Sequence, residues 1–236
     1  MTHSSAQDYD RLTRQHYQDQ TVAQRYSAEY TGPYTFRTLP ARLIAFRERR
    51  MICRAMAYIL QCGAGRVRKI VDLPCGTGKL AVVFARFPLN VVAADISSEM
   101  MEIAGQEYRQ LPGFAGMVQT DAAATTFADA EFDAAVCLRL LHRVPADIRE
   151  SILAELARIS RRYVILSAGI DNRLQDLRRN LRHVITGTST VPYPITKSAL
   201  ARQLKRAGLN PLRWLPVLPL LSSEWIVLCE RKTPVQ

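Results

Sequence analysis

The spacing of apolar residues changes character once along the chain, from residue 67 onward. Before that point the apolar positions fall at helical intervals and no alternating strand stands out. Residues 8–30 carry Tyr9, Tyr17, Tyr26 and Tyr30 among polar residues, and residues 40–61 place Ile44, Met51, Ile52, Ala55, Ile59 and Leu60 near one helical face, with Arg42, Arg47, Arg49, Arg50 and Arg54 on the remainder. Gly63 and Gly65 end this helix. Beyond it, short apolar runs alternate with amphipathic stretches. The pattern predicts strands at 68–73, 90–94, 115–119, 133–138, 162–168, 211–217 and 224–230, and helices near 78–87, 97–110, 145–160 and 196–207. Alternating β and α elements imply an α/β fold, a doubly wound parallel sheet covered on both faces. Only a loop separates the last two strands, so one of them is expected to be antiparallel. Two units result: an N-terminal helical lid over 1–65 and a main domain over 66–236, within which the long connection 171–196 forms a lid insertion.

Composition narrows the picture. With 236 residues, 48% of them hydrophobic, there is ample material for one core. No run of 18 apolar residues occurs, and the start MTHSSAQDYDRL lacks the apolar stretch of a secretory signal, so no transmembrane segment is expected. Cys53, Cys62, Cys75, Cys137 and Cys229 are odd in number and form no C-x-x-C pair, which points to reduced thiols and a cytoplasmic location. The histidines at 3, 16, 142 and 183 have no metal-ligand spacing, and no metal is predicted. The formal charge of +11 attracts anionic partners, whether nucleic acid, the inner face of a membrane or a phosphorylated substrate, or simply keeps the protein soluble.

Residues 70–80 read IVDLPCGTGKL: a predicted strand, then Asp72, Pro74, Cys75, Gly76, Thr77 and Gly78. Ligands of such sheets sit at the carboxyl ends of the strands. A phosphate-binding P-loop fails, because Leu73 occupies its first glycine position and Leu80 replaces its Ser/Thr. A dinucleotide fingerprint fits better, since Gly76-x-Gly78-x-x-Ala81 matches G-x-G-x-x-A and Asp95 follows. Asp72 separates the remaining choices. A carboxylate is awkward beside a pyrophosphate but suits S-adenosylmethionine, which carries an ammonium and a sulfonium and no phosphate. Asp95 ends the second strand and offers acceptors to two ribose hydroxyls; Asp121 ends the third and offers one to the adenine amine, with the Ala122 N–H for a ring nitrogen. The alternative is that Asp95 and Asp121 cap the element that follows each.

The stretches VDLPCGTGKL, VVAADISSEMMEIA and QTDAAATTFADAEFDAAVCLRLLHRV, in this order, resemble the class I S-adenosylmethionine-dependent methyltransferases, in particular the small-molecule branch typified by ubiquinone/menaquinone-type enzymes. The resemblance covers roughly residues 67–230, and departs from the usual pattern at Pro74, where the family commonly has glycine. It implies a Rossmann-like seven-stranded sheet in the order 3-2-1-4-5-7-6 with strand 7 antiparallel, S-adenosylmethionine as cofactor and S-adenosylhomocysteine as product. It also implies that Asp95, Ile96 and Met100 neighbour the ribose and adenine, and that Leu138 contacts the cofactor through its backbone.

Methyl transfer is an in-line displacement at an activated carbon, so alignment and exclusion of water dominate, and a base is needed only where the acceptor must lose a proton. His142, just past the fourth strand, is the candidate base, with Arg139 and Arg143 beside it to lower its pKa and hold an anionic acceptor; the alternative is that it orients its loop. Arg173, Arg178, Arg179, Arg182 and His183 make the insertion basic, and Tyr26, Tyr30 and Tyr34 are placed to close the site or to pack within the lid. Tyr30, Arg182 and His183 join Arg139 and Arg143 as candidate substrate contacts. The expected activity is methylation of a small-molecule or lipid/glycan-linked acceptor bearing phosphate or carboxylate, with association at an anionic membrane surface or with a partner enzyme as further expectations. Three other functions remain open: an RNA methyltransferase, disfavoured by the lack of a separate RNA-binding module, a non-catalytic cofactor-binding partner of another enzyme, and an NAD-dependent oxidoreductase, which would bind NAD and ignore S-adenosylhomocysteine.

Overall fold

The computed structural model describes residues 39–63, 66–171, 193, 195–219 and 222–232. The elements run α1 (Leu39–Cys62), β1 (Lys69–Asp72), α2 (Ala81–Phe84), β2 (Asn90–Asp95), α3 (Ser98–Tyr108), β3 (Phe114–Gln119), β4 (Phe132–Cys137), α4 (Ala146–Ile159), β5 (Ser160–Asp171), β6 (Ile195–Thr196), α5 (Lys197–Arg206), β7 (Leu209–Pro216) and β8 (Glu224–Arg231). The expected helix over 8–30, Tyr26, Tyr30 and Tyr34, and the insertion's Arg173, Arg178, Arg179, Arg182 and His183 lie outside the described residues.

The strands are ordered β3-β2-β1-β4-β5-β8-β7, with the two-residue β6 beside the end of β5. β8 runs antiparallel to both β5 and β7, and the other described pairs are parallel. The order implied by the resemblance is therefore the order found, β8 being its antiparallel seventh strand. Alternate residues of the central strands enter two separate cores. Ile70, Ala134, Val136, Ile165 and Leu228 face α1, α2 and α3, while Val71, Ala135, Cys137, Val164 and Val227 face α4 and α5. Burial on both faces explains why these strands read as unbroken apolar runs. The apolar stripe of α1 (Met51, Ile52, Ala55, Met56 and Ile59) is buried in the first core, as its periodicity predicts.

Three elements differ from expectation, each for a local reason. The helix expected over 78–87 contracts to Ala81–Phe84, because Gly78 sits at a φ of +79° and Pro88 disfavours helix in the residue before it. β7 begins at Leu209 and runs through Pro211, which is tolerated because β7 is an edge strand with a register irregularity there. β6 is too short to carry a pattern and is defined by its pairing with Ile170 and Asp171 alone.

The foot of the sheet is pinned by Asp133. Its carboxylate accepts the backbone N–H groups of Arg68 (2.8 Å) and Lys69 (2.9 Å) and the Arg161 guanidinium (2.9 Å). Asp133→Ala leaves the two N–H groups without their acceptor, and is expected to destabilise the protein by about 2–4 kcal/mol in urea unfolding. A loss below about 0.5 kcal/mol would contradict this role.

Candidate active site

The turn after β1 is stitched between its neighbours. The Leu73 N–H donates to Val136 O (2.9 Å) and the Cys75 N–H to Ala94 O (2.8 Å), and the Leu73–Pro74 peptide bond is cis. Gly76, at a φ of +52°, turns its N–H onto Asp95 Oδ2 (2.8 Å). The other oxygen of Asp95 accepts the Ser97 N–H (3.0 Å), and the Ser97 hydroxyl in turn caps α3 by accepting from Met100 N–H (3.1 Å). Gly78 serves packing: a Cβ there would lie 3.1 Å from both Ala104 Cα and Glu107 Cβ of α3.

A cavity of about 180 Å³ opens above the carboxyl ends of β1, β2 and β4. It is lined by the expected residues Asp72, Pro74, Cys75, Gly76, Asp95, Ile96, Met100, Leu138, Arg139 and Arg143, joined by Thr77, Lys79, Leu80 and Leu140 and, from α1, by Ala45, Glu48 and Arg49. Gly78, Asp121, Ala122 and His142 do not line it. Asp121 turns back on its own loop, where Oδ1 accepts the Ala123 N–H (2.9 Å), so it behaves as the alternative cap. His142 is buried behind the wall with Nδ1 unpartnered, in a loop that Arg149 holds by donating to Leu141 O (3.0 Å). Burial first, then the charges of Arg143, Arg139 and Arg149, push its pKa down to about 4. It is neutral as expected, but the larger cause is desolvation, and a base role gains no support from its position.

Asp72 is 1% exposed. The Tyr108 hydroxyl, at the end of α3, donates to its Oδ2, while Oδ1 has no hydrogen-bond partner. Burial drives its pKa up to about 8; the Tyr108 bond opposes the rise and the Asp95 charge adds to it. Asp95 is raised as well, by burial against the pull of its backbone N–H donors. Two buried carboxyls, one with an oxygen lacking any donor, fit a cationic ligand and reject a phosphate.

Arg139 is not a simple substrate contact. Its backbone is left-handed (φ 58°) and its N–H donates to Ser167 Oγ (2.7 Å). Its guanidinium grips Glu48 of α1 through both carboxylate oxygens, with Glu224 Oε1 at 3.9 Å. Glu48, Tyr108, Ser167 and Glu224 were missed in the sequence. Only Glu48 carried a signal, as the single acid among the arginines of residues 42–54.

Residues 70–162 match the family model described as a methyltransferase domain. Over these residues the chain is similar to the methyltransferase domains of S-adenosylmethionine-dependent enzymes. It is 27% identical over 158 residues to magnesium protoporphyrin IX methyltransferase of Arabidopsis thaliana, covering 66% of this chain and 47% of the relative. It is 32% identical over 99 residues to an O-methyltransferase of Aspergillus nomiae, covering 41% of this chain and 43% of the relative. The chain thus spans about half the length of the curated relatives it matches. In fold it resembles magnesium protoporphyrin IX methyltransferase from Synechocystis PCC 6803 with bound S-adenosylhomocysteine, at a TM-score of 0.76 and 17% identity over 94% of this chain and 100% of that one. S-adenosylmethionine is the cofactor such domains use, and its ammonium carries the charge that the unpaired oxygen of Asp72 could accept.

The state of Asp72 sets a pH dependence for this protein. Its folded pKa lies above the ordinary 3.8, so its contribution to stability is full below about pH 4 and is lost as pH rises toward 8. The ligand-free Asp72→Asn variant should show a flatter decline of thermal midpoint across that range than wild type. Parallel profiles would contradict a protonated, buried Asp72.

Proposed function

We propose that this chain transfers a methyl group from S-adenosylmethionine to a small-molecule acceptor that carries a phosphate or carboxylate. The observation that carries the reading is the composition of one cavity: buried acids from the ends of β1 and β2, and Arg49, Lys79 and Arg143 from α1 and the loops. Asp95 would accept from the ribose hydroxyls with the lone pairs its backbone donors leave, Asp72 would face the ammonium, and Ile96 and Met100 would flank the adenine. When bound, the cofactor supplies an electrophilic methyl carbon on a sulfonium leaving group. The chain's own task is to align the acceptor and keep water away, with Arg143 and Arg49 anchoring the anionic group. His142 stands behind the wall, which favours acceptors that need no proton removed by a side chain. The relatives' names, a magnesium protoporphyrin IX methyltransferase and an O-methyltransferase, support a small-molecule acceptor.

A narrower form of the reading has the acceptor linked to lipid or glycan at an anionic membrane surface. It is supported by α1, which exposes Leu43 and Phe46 beside Arg49 and Arg50. No helix among the described residues is long and apolar enough to cross a membrane.

Titration calorimetry with S-adenosylhomocysteine tests the site. Saturable binding is expected near pH 7 with net release of a proton, read as an apparent enthalpy that changes between phosphate and Tris buffers, as the ligand's ammonium returns Asp72 to its ionised form. Asp95→Ala should weaken binding roughly 10–100-fold, and should also loosen the turn that its carboxylate holds. Absence of binding by the wild-type chain, with saturation by NAD instead, would end the reading.

A further inference from the structure

Three side chains distant in sequence close on one another beside the cavity. Glu48 comes from α1, Arg139 from the loop after β4, and Glu224 from the first residue of β8. Arg139 Nε donates to Glu48 Oε1 at 3.0 Å, its terminal nitrogen donates to Oε2, and Glu224 Oε1 lies 3.9 Å from Nε. The backbone of Arg139 is itself fixed by the 2.7 Å bond to Ser167, so its guanidinium projects from an anchored point. Next to Glu48, Arg47 donates to Val217 O (3.4 Å), a second tie between α1 and the β7–β8 side of the sheet.

The two halves of α1 are held differently. Its second half buries Met51, Ile52, Ala55, Met56 and Ile59 in the core. Its first half exposes Leu43 and Phe46, and turns Ala45, Glu48 and Arg49 to the cavity. At about 180 Å³ the cavity is below the roughly 300–1,000 Å³ of ordinary ligand pockets, and the first half of α1 is one of its walls. The strand ends are locked in the hydrogen-bond ladder, whereas the first half of α1 reaches the sheet through side chains.

We propose that Glu48, Arg139 and Glu224 are positioning residues that seat the first half of α1 as a releasable wall of the cavity, with the charge on Glu224 setting how firmly it is seated. The proposal rests on the cavity being the cofactor site. The polar groups facing Glu224 are Glu48 from α1, Arg139 from the loop after β4 and Ser167 from β5. With Glu224 neutral, one carboxylate meets one guanidinium. With Glu224 ionised, two carboxylates compete for Arg139, the cation that faces them both among the described residues, and the α1 carboxylate is the one free to leave. Burial, and then the Glu48 charge, hold Glu224 up to about 7 from an ordinary 4.5, with Arg139 opposing. The folded value is raised, so the seat loosens as pH climbs to about 7 and stays loose above it.

Hydrogen exchange at the amides of residues 43–50 tests this on the full chain. Comparing wild type with Glu224→Gln at equal pH cancels the intrinsic exchange chemistry. The wild-type rate divided by the variant rate is expected to rise roughly tenfold between pH 5.5 and pH 8, while amides of residues 53–60 keep a constant ratio. Glu48→Gln is expected to speed exchange in residues 43–50 at both pH values, and Glu48→Asp to restore part of the protection. A ratio that does not change with pH, or one that rises equally along all of α1, overturns the proposal. S-adenosylhomocysteine titrated into the same samples separates the two levels: loss of binding in every sample refutes the cofactor site, while the exchange ratios still decide the clasp.

Discussion

The carboxylate of Asp95 holds the rim of this sheet together. One oxygen takes the N–H of Gly76 in the turn after β1, and the other takes the N–H of Ser97 at the start of α3. Two adjacent crossovers are thereby tied to the end of β2. A carboxylate is suited to this because both oxygens are acceptors and each keeps a lone pair after one bond. Gly76 completes the arrangement, since its positive φ aims the N–H inward and leaves open space on the cavity side. The cavity therefore takes its shape from bonds that also stabilise the fold.

Charge is sorted by depth. The chain is strongly basic, yet four acids, Asp72, Asp95, Glu48 and Glu224, lie in or next to the cavity wall. Each is handled differently. Asp95 is met by backbone donors, Glu48 by Arg139, Asp72 by one tyrosine hydroxyl, and Glu224 by a guanidinium already engaged elsewhere. Burial raises the pKa of the incompletely compensated pair, Asp72 and Glu224, toward neutrality. The net charge of the sequence gives no hint of this, because among the described residues most basic side chains, such as Arg50 and Arg54, are exposed.

Strand ends show how far residue type alone can be trusted. Asp72, Asp95 and Asp121 all follow apolar runs and look equivalent in the sequence. The first two are swallowed by neighbouring elements on both sides, whereas Asp121 follows the edge strand β3 and folds back onto Ala123. His142 looked exposed to the reaction because it follows β4, but Arg149, from the next helix, draws its loop down over the second core.

The sequence by itself determined the order of elements, the two-sided burial of the sheet and the position of the acidic, glycine-containing turn, since these depend on periodicity and on backbone demands local to a few residues. Tertiary structure alone decided which acids face a cavity, that Tyr108 bonds Asp72 across 36 positions, and that Arg139 joins Glu48 to Glu224. Such pairings depend on crossover geometry and on burial, and no spacing along a single chain encodes the distance between side chains that meet only after the sheet has closed.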